Sequence, residues 1–251
     1  MSSLYVKHPP THIEAPRPSN MLKIQTKFTP TRGFKSEDLP YNTSLSLSEQ
    51  VRSSVESSLH NLRPTTSTSC SGENSPYVDC LILHVPLPTA FAMLEVWTTM
   101  ESYHPYRVRN LGLSNVTLQV LRWVYEVSTV KPSLVQNRWC AETGYDVAVR
   151  TYCAEHGIVY QAYGILTKSL LLASEPVQEL AELANVSRAT SLYYLVIQMG
   201  VVVLNGTRDD QKMISDHIEF RKLRRLANQP ESQETWSSIL DRFGYLLAAR
   251  A

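Results

Sequence analysis

The sequence predicts an α/β fold: a parallel TIM (β/α)8-type barrel that is two βα units short of eight. Three observations point there. Apolar runs of strand length alternate with segments of helical period along the chain. Polar residues recur at the C-terminal ends of those runs: 78–85 delivers His84, and 107–113 leads into Ser114-Asn115. A β/α barrel builds its active face from such strand ends. The length of 251 residues, 43% of them hydrophobic, suits one large domain with an ample core.

The elements follow in order. Residues 1–20 are proline-rich without periodicity and read as an irregular arm, leaving 21–251 as the barrel domain. Leu22–Phe28 is a strand, broken by Thr29-Pro30-Thr31-Arg32-Gly33. The spacing of Val51, Val55, Leu59 and Leu62 predicts an amphipathic helix over 48–62 with Ser48 as N-cap. The polar stretch 65–75 reads as a disordered surface insertion before the His84 strand. A helix over 89–103 is expected to bury Phe91, Leu94 and Trp97, with Met100 and Trp97 as core residues. After the Ser114 strand come a helix over 117–128, a strand over 133–139, a helix over 145–156 stopped at Gly157, and a strand over 158–163. One long helical region over 174–199 ends at Gly200, a short strand spans 201–204, a charged helix starts at Asp209, and a last helix covers 233–249. That makes six strands, each followed by a helix. A doubly wound open sheet is the rival, but no Gly-x-Gly-x-x-Gly turn follows an early strand.

Composition excludes several functional classes. A formal net charge of +1 gives no electrostatic reason to expect nucleic acid or a membrane surface as partner. Cys70, Cys80, Cys140 and Cys153 form no Cys-x-x-Cys pair, so a reduced, cytoplasmic setting is expected. No run approaches the roughly 18 apolar residues of a membrane span, and no apolar signal core opens the chain. His104, His156 and His217 have no metal-ligand spacing and read as solvated residues, so no metal is expected. The basic run 221–225 reads as a solvated helix end. The glycosylation sequons at Asn115, Asn185 and Asn205 carry no weight in a cytoplasmic chain.

Five motifs in barrel order carry a resemblance: Gln25-Thr26-Lys27-Phe28-Thr29-Pro30, Asp79-Cys80-Leu81-Ile82-Leu83-His84, Gly112-Leu113-Ser114-Asn115, Val135-Gln136-Asn137-Arg138 and Leu204-Asn205-Gly206-Thr207. From about residue 22 onward the chain resembles the aldo-keto reductases, and within them a fungal branch that reads Gln-Asn-Arg on strand six and Gly-Thr at the end of strand eight. The resemblance implies NADPH-dependent carbonyl reduction on a TIM barrel. The family's catalytic tetrad is a tyrosine acid, a lysine that lowers its pKa, an aspartate paired to the lysine, and a histidine that orients the carbonyl. Lys27 matches the lysine and His84 the histidine. Ser114, Asn115 and Gln136 match the groups that hold the nicotinamide carboxamide, and Tyr163 the aromatic that stacks on the ring. Gly206 and Thr207 match a Lys-Ser pair that meets the 2′-phosphate, Lys212 falls near a phosphate-contacting arginine, and Asp216 where an adenine-contacting asparagine is common. Glycine at 206 removes one cation and leaves Thr207, Lys212 and Arg208 to recognise the phosphate. The alternative for Gly206-Thr207 is a plain strand-to-helix turn with an N-cap.

The chain departs from the family at its N-terminal side. Only 26 residues precede Lys27, too few for two βα units; Tyr5 lacks the family's tyrosine motif, and Glu14 is the sole acid there. A barrel without two strands exposes two edges. Three explanations compete: a truncated gene model, a short form that pairs its edges in a homo-oligomer, and a decayed relative. Two functions follow. One is an NADPH-dependent reductase of a small-molecule ketone or aldehyde, tailoring a fungal secondary metabolite such as a terpenoid, meroterpenoid or polyketide. The other is a catalytically impaired NADP-binding or interaction protein.

Overall fold

The computed structural model describes residues 3–6, 22–31, 36–62, 77–167, 169–207 and 209–249. The insertion expected over 65–75, Glu14 and Arg208 lie outside these residues. The chain forms two compact units, Met1–Gln136 with Glu155–Ile158, and Asn137–Ala154 with Val159–Ala251.

The first unit contains β1 (Ser3–Val6), β2 (Leu22–Phe28), α1 (Leu47–Asn61), β3 (Cys80–Leu83), α2 (Ala90–Glu101), β4 (Leu111–Ser114), α3 (Leu118–Val127) and the start of β5 (Leu134–Arg138). β2 to β5 are parallel, in a register that pairs Phe28 with Leu83, Leu83 with Leu113, and Ser114 with Gln136. β3 and β4 are buried along their whole length and are apolar except for Ser114 at the end of β4. Gly112 sits where the strands crowd: an added Cβ would meet the Leu134 carbonyl oxygen at 3.0 Å and Ile82 Cγ1 at 3.2 Å.

Three expectations need correction in this unit. The arm at 1–20 is not wholly irregular, because β1 runs antiparallel to β2, with Ser3 opposite Gln25. The cap of α1 is Ser46, not Ser48: Ser46 and Glu49 form a reciprocal capping box. Ser48 instead binds the Glu95 carboxylate through its N–H and hydroxyl, at 3.2 and 3.0 Å. Helix α2 buries Met93, Val96, Trp97 and Met100, while Phe91 is 79% exposed. The 3.6-residue period fits both stripes in this apolar helix, and tertiary contact selects one.

The second unit holds the end of β5, α4 (Val147–Glu155), β6 (Val159–Tyr163), α5 (Glu175–Ala184), α6 (Arg188–Gln198), β7 (Val202–Val203), α7 (Asp210–Ala227) and α8 (Gln233–Ala248). β6 and β7 pair in parallel through Gln161 with Val202 and Ala162 with Val203. The helical region expected to run unbroken over 174–199 is two helices, because Asn185 takes a left-handed conformation at φ 49°. Ser187 then caps α6 by accepting from the Thr190 N–H. Gly157 and Gly200 end helical segments at φ 67° and 76°, as their positions predict. Trp236, Ile239, Phe243 and Leu247 form the buried stripe of α8, and Arg242 ion-pairs with Glu175 and Glu179 of α5. Six strands were expected from the periodicity; they correspond to β2 to β7.

Candidate active site

Lys27, His84, Ser114, Asn115 and Gln136 lie in the first unit, at the C-terminal ends of β2 to β5. Parallel pairing alone brings them close, since Lys27 is opposite Ile82 and His84 follows Leu83. Lys27 is partly buried, and loss of hydration lowers its pKa, with a smaller opposing effect from Cys80 on the neighbouring strand. Burial also lowers the pKa of His84, and the nearby Lys27 ammonium lowers it further. At neutral pH His84 is therefore an uncharged imidazole. Beneath them, the wholly buried Cys80 thiol is pushed up to about 12 by burial and by Asp79.

The histidine is held at three points. Its backbone N–H donates to the Phe28 carbonyl at 2.9 Å, and its carbonyl accepts from Asn115 Nδ2 at 2.9 Å. Its Nδ1 lies 3.0 Å from Thr29 Oγ1. Thr29 is fixed in turn, because Tyr41 donates its phenol to the Thr29 carbonyl at 2.5 Å and packs its ring 5.7 Å from that of Phe28. Asn115 reaches His84 by adopting φ 58°, a left-handed conformation that asparagine tolerates. Ser114 donates to the Gln136 carbonyl at 2.7 Å and stands 3.3 Å from Asn115 Nδ2. Ser114 and Asn115 thus spend hydrogen bonds on joining three strand ends.

Tyr163, Gly206, Thr207, Lys212 and Asp216 lie in the second unit. Gly206, Thr207, Lys212 and Asp216 line one cleft of about 590 Å³, together with Tyr193, Asn205 and Glu219 among others. Tyr163, at the end of β6, does not line it, although its neighbour Gly164 does. Burial raises the Tyr163 pKa, and the Arg138 guanidinium partly opposes this. At the mouth of α7, Asp209 caps the helix by accepting from the Gln211 and Lys212 N–H groups, while its own N–H donates to Thr207 Oγ1 at 3.0 Å. Thr207 and the Lys212 ammonium are the donors this place offers an anionic oxygen group, since Asp209 already takes up the N–H groups at the start of α7. Asp216 is engaged in the protein's own network: it accepts from Asn205 Nδ2 at 2.7 Å, and Asn205 accepts from Tyr193 at 3.1 Å. Burial raises the Asp216 pKa. An added Cβ at Gly206 would meet nothing within 4 Å, so glycine there is not forced by crowding.

Reading by strand ends alone missed Thr29, Tyr41, Tyr193 and Glu219. Thr29 and Tyr41 sit outside the apolar run that marks β2, and only the fold shows that their loop returns to the strand ends. Tyr193 and Glu219 occupy helices, where they read as core and surface. The sole available signal was the polar residue directly after Phe28.

The model of the aldo/keto reductase family matches residues 13–199. The NADPH-dependent alpha-keto amide reductase of Saccharomyces cerevisiae is 29% identical over 154 residues, covering 56% of this chain and 49% of that protein. The chain spans about half the length of the relatives it matches in sequence. Among solved structures, an aldo/keto reductase from Brucella melitensis superposes with a TM-score of 0.60 at 21% identity, over 82% of this chain and 70% of that one. An aldo-keto reductase of the silkworm Bombyx mori, solved with NADPH, gives 0.60 at 16% identity, over 80% and 59%. The architecture is thus an incomplete (β/α)8 barrel. With its model covering most of the sequence, the chain belongs to the aldo/keto reductase family.

Proposed function

We propose that the chain is an NADPH-dependent reductase of a ketone or aldehyde. The observation that carries this reading is the pairing of partly buried Lys27 with neutral His84 at adjacent parallel strand ends. A plain structural barrel gains nothing from burying an ammonium there. Family membership and the NADPH dependence of the yeast relative support the cofactor.

Each unit offers donors to one part of a phosphorylated nucleotide: in the second, Thr207 and Lys212 would hold the 2′-phosphate end, and in the first, Gln136 with Ser114 and Asn115 the carboxamide end. Tyr163 would offer its ring to the nicotinamide, and Asp216 the adenine side. Bound NADPH supplies the hydride. His84 would hold the carbonyl oxygen by a hydrogen bond, and Lys27 would stabilise the negative charge that grows on that oxygen. The cleft also carries Asp216 and Glu219 beside Lys212, and these carboxylates would weaken its hold on a 2′-phosphate.

The resemblance to a fungal branch further suggests a tailoring step on a terpenoid, meroterpenoid or polyketide, in the cytoplasm. An assay of NADPH consumption over a panel of α-keto amides, aldehydes and cyclic ketones, with Lys27→Met beside the parent, tests the reading. Turnover lost in Lys27→Met with NADPH affinity retained supports it. Equal loss of both removes the assigned role of Lys27. Binding of NADPH with no turnover of any carbonyl would favour the impaired, cofactor-binding alternative.

A further inference from the structure

We propose that Thr29 is a positioning residue that sets the tautomer of His84, fixing the ring with its proton on Nε2. The inference rests on the reading of His84 as the group that hydrogen-bonds a substrate carbonyl. A carbonyl oxygen accepts and never donates, so His84 can serve it only from a ring N–H. Which nitrogen carries that proton is decided by the partner of the other one.

The partner of Nδ1 is Thr29 Oγ1, at 3.0 Å. A hydroxyl can donate or accept, but its surroundings choose here. The Thr29 carbonyl is taken up by the Tyr41 phenol at 2.5 Å. Among the described residues the acceptor in reach of the Thr29 hydroxyl is the Nδ1 lone pair. Donation into Nδ1 satisfies both groups, and it leaves the proton on Nε2. The reverse arrangement would strand a hydroxyl hydrogen in a partly buried place, a cost comparable to a lost hydrogen bond.

Geometry makes the arrangement rigid. The histidine backbone is anchored on both sides, by the Phe28 carbonyl and by Asn115 Nδ2. Thr29 is anchored by Tyr41, which is itself only 8% exposed and packed on Phe28. The ring therefore sits on a fixed backbone with one nitrogen clamped, which restricts rotation about its side-chain bonds. A hydroxyl in this place supplies what a second-site carboxylate supplies to other histidines, but without a charge that would favour the imidazolium. Neutral His84 can then sit beside the Lys27 ammonium without repelling it.

The test is nitrogen NMR on the full chain labelled with ¹⁵N-histidine, the His84 signals being identified by their loss in His84→Gln. The expected spectrum shows Nδ1 as a bare acceptor and Nε2 protonated. Thr29→Val should shift His84 toward a tautomer mixture and lower kcat about tenfold, with the KM for NADPH unchanged. Thr29→Ser, which keeps the hydroxyl, should restore both. A protonated Nδ1 in the parent chain, or an unchanged tautomer in Thr29→Val, overturns the inference. The spectrum needs no turnover, so a chain that reduces no carbonyl would refute the functional reading while the tautomer still decides the role of Thr29.

Discussion

Lys27 shows how a functional group is bought with stability. Its pKa is lowered chiefly by burial, so the unfolded chain binds its proton more tightly than the folded one. Stability therefore rises with pH across the window between the lowered folded value and the ordinary lysine value, and the charged side chain opposes folding below that window. Lys27→Met removes this penalty and fills the same space. It should abolish turnover yet raise Tm by about 2–4 °C, the equivalent of roughly 1 kcal/mol in a chain of this size; a Tm that falls would show that the ammonium has stabilising partners. Thiols give a second prediction. Cys80 and Cys153 are buried and pushed up to about 12, whereas Cys140 is partly exposed. Iodoacetamide should label Cys140 well before either of the others, read by peptide mass spectrometry. The positions of Lys27 and His84 at strand ends were legible in the sequence because strand ends are marked by where the strand-like runs stop. Thr29 and Tyr41 were not, because their partners lie 55 and 12 residues away in the chain.

At the scale of elements, the strand-to-strand contacts carry the site. Gly112 lets β4 approach both neighbours, and its Cβ space is closed by the Leu134 backbone and by Ile82. Gly112→Ala should cost about 1–3 kcal/mol, seen as a drop in the midpoint of urea unfolding; a neutral result would mean that β4 shifts freely. Helix caps are a milder lever. Ser46→Ala breaks the box with Glu49 and should cost about 1 kcal/mol, while Ser48→Ala, once the expected cap, loses the hydroxyl's bonds to Glu95 and Thr99 but no cap. A larger loss in Ser48→Ala would reverse that assignment. From β2 onward element types followed from periodicity, and boundaries fell within a few residues. The errors have physical causes. Ser46 and Ser48 are both plausible caps until Glu49 closes on one of them. Helix α2 is apolar on two stripes, so its sequence does not say which faces the sheet. The break between α5 and α6 needs Asn185 in a left-handed conformation, which asparagine allows but does not signal.

For the whole molecule, the sequence pattern and the fold agree on a β/α barrel that is incomplete relative to the family, and the chain spans about half the length of its sequence relatives. The residues proposed for the carbonyl end lie in the first compact unit and those proposed for the phosphate end in the second. No helix among the described residues is long and apolar enough to cross a membrane. The most direct measurement is an isothermal titration of the 251-residue chain with NADPH, repeated on Lys27→Met. Saturable binding at one NADPH per chain, equal in the two proteins, with carbonyl reduction only in the parent, is the predicted result. A folded parent chain that takes up no NADPH would contradict the account.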